Sequence, residues 1–153
     1  MMRKLLLGLL LCSAGFGAVA DWQYTEKVDE MRGATQYFAS LAPEKVNEGV
    51  EMTLRAYSDN NNDTYDIKFM LNGAKFDCKL GSICSGSMKI NNENVVELLF
   101  ETDKEDGAIA THVWAAEVAT SVLNSEVVYL EVPIKDEGMM QFKYHPKGLK
   151  WSM

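Results

Sequence analysis

Three stretches of this chain alternate between core-forming and solvent-suited residues, and a period of two marks strands that lay one face on a core. Val50, Met52, Leu54 and Ala56 alternate with Glu51, Thr53, Arg55 and Tyr57. Tyr65, Ile67, Phe69 and Leu71 alternate with Asp66, Lys68, Met70 and Asn72, and later Met140, Phe142 and Tyr144 with Gln141, Lys143 and His145. Such patterning suits antiparallel sheets with one solvated face.

Turn chemistry separates the runs. Asp59 to Asp63 is a polar loop between two strands, and Asn72-Gly73 is the strongest hairpin signal, predicted to return the chain into Ala74–Cys78 through a type I′ turn. Asn91 to Asn94 links a strand over Ser87–Ile90 to one over Val95–Thr102, and Asp103 to Gly107 is a further exposed loop. Lys135 to Gly138 joins Val127–Ile134 to Met139–His145, while Trp22–Val28 and Thr35–Ala42 read as opening strands. Ala115 to Ser125 departs from the pattern, because it is alanine-rich and sets Val118 and Val122 one helical turn apart. Val113-Trp114 just before it can extend a strand. Eight or so short strands with one short helix predict a mainly β fold, an antiparallel β-sandwich or a partly closed barrel.

The compartment is read from the first residues. Arg3 and Lys4 precede the apolar run Leu5 to Leu11, and Ala18-Val19-Ala20 offers a signal-peptidase site before Asp21. The apolar run is too short to remain across a hydrocarbon core of about 30 Å. A lipoprotein signal at Cys12 would need a small residue before the cysteine, and Leu11 is large. The expected organisation is therefore a signal peptide over 1–20 and one domain over 21–153, periplasmic or secreted, with no membrane span. Loss of Arg3 and Lys4 moves the formal charge from −7 to −9 over 133 residues. That balance argues against nucleic acid, which rewards clustered Lys and Arg. It suits a basic protein partner, or serves only solubility. Cys78 and Cys84 remain after cleavage, and so close a pair in an oxidising compartment predicts a local disulfide. No metal ligands accompany the pair, and its spacing is not that of a redox CxxC.

No catalytic constellation stands out. His112 and His145 lie in no HExxH pattern and near no cysteine, and no GxSxG elbow is present. Ser85 and Ser87 beside Gly86 suit the tight loop near the disulfide. Asp59, Asn61 and Asp63 begin like a calcium loop, but Thr64 and Met70 stand where glycine and glutamate belong, so a turn is favoured. Asn62-Asp63-Thr64 matches a glycosylation sequon, but the export signal over residues 1–20 reads as bacterial, so the match is discounted. The carboxylates Asp103, Glu105 and Asp106 form either a solvated edge or the recognition loop. Trp22, Tyr24, Tyr37, Phe38, Trp114 and Trp151 are expected mostly in the core, with Trp22 packing on Trp151 where the chain ends meet. An exposed aromatic near the acidic loops would instead mark a binding site.

Scattered motifs carry a resemblance. Trp22 with Asp29 and Met31, the strand Met52-Thr53-Leu54-Arg55, the tract Phe76-Asp77-Cys78 to Cys84, Leu98-Leu99-Phe100 leading to Asp103, and Gly148-Leu149-Lys150-Trp151 look like small secreted β-sandwich proteins of bacteria and phages. The terminal strand and the helix before it are similar to periplasmic accessory proteins of type VI secretion. This resemblance implies an envelope protein of non-enzymatic role, and it transfers no site residue. The leading expectation is a periplasmic binding module without cofactor or metal. The alternative is an inhibitor or immunity protein blocking a secreted, cationic, lysozyme-like hydrolase.

Overall fold

A computed structural model of the protein describes residues 21–59 and 66–150. The segment expected as signal peptide, the calcium-like loop between Asp59 and Asp66, and Trp151 lie outside the described residues. The strands are β1 (Gln23–Asp29), β2 (Ala34–Leu41), β3 (Glu51–Asp59), β4 (Asp66–Asn72), β5 (Ile83–Ile90), β6 (Val96–Thr102), β7 (Ile109–His112), β8 (Val128–Ile134) and β9 (Gly138–Tyr144), with the helix α1 (Ala116–Asn124) between β7 and β8. All nine strands join one antiparallel sheet in the order β1-β2-β3-β4-β7-β6-β5-β8-β9.

The period of two decides which face is buried. Met52, Leu54, Ala56, Ile67, Phe69, Leu98, Phe100, Val128, Leu130, Val132 and Ile134 all point into one core. The sheet curls around that core into a half-barrel, so the partly closed barrel, rather than two stacked sheets, is the architecture. One edge strand reaches across the interior to an inner strand: the Tyr144 hydroxyl of β9 donates to the Met52 carbonyl of β3 at 2.6 Å. The β2–β3 connection covers the free edge of β9, where the Glu44 amide donates to the Lys143 carbonyl at 2.7 Å and the Asn47 side chain to the Gln141 carbonyl. The helix contributes Ala119, Val122 and Leu123 to the same core.

Two local expectations need correction. Asn72-Gly73 makes no hairpin: β4 pairs with β3 and β7, and the chain leaves toward a bridge between Phe76 and Ile134. A type I′ turn needs positive φ at both positions, and only Gly73 has it, at 84°. Gly73 is required for another reason, since a Cβ there would sit 2.7 Å from the Gly49 carbonyl oxygen. Phe76 then reaches the core, its ring 5.2 Å from that of Phe100, which a solvated hairpin return could not allow. The second correction is that β5 starts at Ile83, so Cys84 belongs to a strand rather than to a loop. The indole of Trp22 donates to the Pro146 carbonyl at 2.6 Å, which ties the start of the chain to the segment after β9.

Candidate binding surface

The disulfide and the acidic loop form one unit. Cys78 and Cys84 are bonded, with Cα atoms 6.3 Å apart; closing so short a loop contributes about 2 kcal/mol in the chain-entropy account. The buried Thr102, at the end of β6, stitches that loop to the acidic turn. Its hydroxyl donates to the Lys79 carbonyl at 2.8 Å, its amide to the Ser82 carbonyl at 3.1 Å, and the Gly81 amide donates to the Asp103 carbonyl at 3.1 Å.

Within the turn, the three predicted carboxylates divide. Asp103 Oδ1 accepts the amides of Glu105 at 2.8 Å and Asp106 at 3.0 Å. These two backbone hydrogen bonds hold the Asp103 carboxyl below its ordinary pKa. Asp106 Oδ1 accepts the Ala108 amide at 2.9 Å. Asp103 and Asp106 therefore build the turn, as aspartates commonly do, while the Glu105 side chain is exposed at its surface.

The outer face of β5 and β6 adjoins this unit. Ile83 pairs with Glu101, Ser85 with Leu99 and Ser87 with Glu97, so Ile83 and Leu99 are diagonal neighbours on one face. Ile83 is 63% exposed and Leu99 38%. Val113, whose amide donates to the Leu99 carbonyl at 3.3 Å, extends the apolar strip, and Glu97 and Glu101 interleave with it. Residue patterning alone did not single out Ile83, Leu99 or Val113. The signal was present, since Leu98 and Leu99 are consecutive in a strand and only one of them can face inward.

The histidines stand apart from this surface. His112 is buried and its ring stacks on Trp114 at 4.7 Å; burial lowers its pKa, opposed by the charge of Asp66. His145 contacts the Glu126 carbonyl at 3.1 Å through Nδ1 and the Glu44 carboxylate at 2.7 Å through Nε2. Lys143 and then His145 hold the Glu44 carboxyl below its ordinary pKa. Among the described residues no group of three or more His, Cys, Asp or Glu side chains could hold a metal ion. None of the helices described is long and apolar enough to cross a membrane. The aromatics also divide: Trp22 is buried, Tyr24 is exposed, and Phe38 carries the Arg55 guanidinium 4.4 Å over its ring.

Comparison with protein-family models, curated proteins and solved structures finds no match.

Proposed function

We propose that the protein is a non-enzymatic binding module of the bacterial cell envelope, exported to the periplasm, that docks a basic protein partner on the outer face of β5 and β6. The observation that carries this reading is the exposed strip of Ile83 and Leu99 set among Glu97 and Glu101, beside the disulfide-pinned acidic turn. An apolar centre with a charged rim is the anatomy of a protein interface. The acidic rim and the formal charge of −7 of the whole chain, −9 once residues 1–20 are removed, match a partner of opposite sign.

The pre-ordered unit of disulfide loop and acidic turn also favours the inhibitor reading, because a rigid protruding loop loses little entropy on docking. One experiment separates the readings. The mature chain and its Ile83→Ser/Leu99→Ser variant are immobilised and exposed to periplasmic extract. The variant should fold normally, since exposed positions usually shift stability by under about 0.5 kcal/mol. The wild type should retain one basic protein in stoichiometric amount, and the variant should lose it. Equal retention by both refutes the docking face. Loss of hydrolytic activity in the captured protein selects the inhibitor.

A further inference from the structure

Further along the outer face, past the apolar strip, the sheet carries a polar trough. Two cross-strand rows form its floor: Ser87, Glu131 and Gln141 in one, and Lys89, Tyr129 and Lys143 in the other, from β5, β8 and β9 in turn. One hollow of about 570 Å³ lies toward the Asn91 turn. A second of about 520 Å³ lies toward the β2–β3 connection. Both are lined by Tyr129 and Gln141, so they run into one another with the tyrosine at the middle. Each lies in the range of small-molecule sites.

The polar groups are held in place by the protein and keep free capacity. Gln141 Nε2 donates to Glu131 Oε2 at 2.7 Å, which leaves Glu131 Oε1 and Gln141 Oε1 as adjacent acceptors. Asn91 Oδ1 accepts the amides of Glu126 at 3.0 Å and Val127 at 3.2 Å, which fixes that amide with its Nδ2 left to donate. Tyr129 is 37% exposed, and the Lys143 ammonium sits 5.9 Å from its ring.

We propose that this trough binds a neutral oligosaccharide laid across β5, β8 and β9, with one sugar ring stacked on Tyr129. The apolar C–H face of a pyranose suits an aromatic platform, and its hydroxyls supply the donors that Glu131 and Gln141 accept. Charge decides against anionic glycans, because five glutamates line the trough against three lysines. A peptide fits less well. Peptides gain affinity on sheets by extending a ladder, and here the β8 backbone is paired on both sides while the β2–β3 connection occupies the β9 edge.

Titration of the mature chain with chitotetraose and cellotetraose, followed by calorimetry and NMR, tests the proposal. At least one sugar should bind saturably and shift the resonances of Tyr129 and Gln141. Tyr129→Ala should weaken binding about tenfold or more. Tyr24→Ala, an exposed tyrosine that lines neither hollow, should leave it unchanged. The protein partner captured on Ile83 and Leu99 should be retained by Tyr129→Ala, so this site and the docking face fail separately. Absence of saturable binding to both sugars overturns the proposal, as does equal affinity in Tyr129→Ala, or binding of a short basic peptide in the trough in preference to either sugar.

Discussion

At the scale of the residue, His112 is held in one tautomer. Its Nδ1 accepts the Trp114 amide at 3.0 Å, so the proton of the neutral ring sits on Nε2, which has no hydrogen-bond partner. The indole Nε1 of Trp114 is likewise buried without a partner. Charging the ring would place a hydrogen on Nδ1, against the Trp114 amide, inside an apolar interior. Desolvation accordingly lowers the His112 pKa from 6.5, with the charge of Asp66 on β4 acting in the other direction. The consequence for stability has a definite sign. Well above pH 6.5 the imidazole is neutral folded and unfolded, and adds no pH dependence. Below it the unfolded chain takes up a proton that the folded chain resists, so stability falls as pH falls until folded His112 titrates. Asp29, Glu44 and Asp103, all with lowered pKa values, add their own loss at more acidic pH. Urea midpoints measured between about pH 5 and 8 should therefore decline on the acidic side in the wild type, and the His112→Gln variant should lose that decline. Parallel curves for the two proteins would show that His112 does not set it.

Strands and turns respond differently to substitution, and Gly86 shows why. It lies inside β5, and a Cβ added there would sit 2.1 Å from the Glu131 carbonyl oxygen of β8, which backbone alone can relieve. Gly33, in the β1–β2 turn, has φ of 62° but nothing within 4 Å of an added Cβ. Gly86→Ala should cost about 2 kcal/mol or more by separating β5 from β8, whereas Gly33→Ala should cost about 1 kcal/mol of backbone strain. Urea unfolding of both variants checks the order, and the reverse order would refute the packing argument. The same contrast explains what patterning could and could not reveal. Strands such as β3, β8 and β9 were legible because each carries its own apolar row. The pairing of β5 with β8 rather than only with β6 was not, because it depends on one glycine that looks like a loop residue in the sequence. The short β7 escaped notice for a similar reason: four residues inserted between β4 and β6 carry too little period to be seen. The Asn72-Gly73 signal misled because a positive φ outside any hairpin and close packing against Gly49 both demand the glycine. For the candidate sites, Tyr129 was legible by parity, since Val128, Leu130, Val132 and Ile134 fill the inward positions and push it outward. The partners Asn91 and Gln141 come from other elements, so only the register brings them to it.

The molecule as a whole is acidic, with a formal charge of −7, and its electrostatics give a test of recognition that packing cannot. The edge strand β9 is tied to β3 through Tyr144 and to the β2–β3 connection through Glu44, and the outer face of β5 and β6 lies in the middle of the same sheet. Exposed carboxylates on such a face act mainly on encounter, since water and salt screen them once the partner is bound. Reversing all three carboxylates of the acidic turn would confuse two effects, because Asp103 and Asp106 accept the backbone amides that form the turn. Glu105 on that turn and Glu97 and Glu101 on β6 are exposed, which makes Glu97→Lys/Glu101→Lys/Glu105→Lys the informative variant. At about 0.01 M salt, where charges act over about 30 Å, it should associate with the basic partner captured on Ile83 and Leu99 about tenfold or more slowly than the wild type. At about 1 M salt, where the reach shrinks to about 3 Å, the two association rates should converge. Dissociation should change little in either condition, because buried apolar contacts set it. Stopped-flow association at both salt concentrations measures these rates. If variant and wild type associate equally fast at low salt, the carboxylates only solvate the surface, and the acidic charge of the molecule has no part in finding its partner.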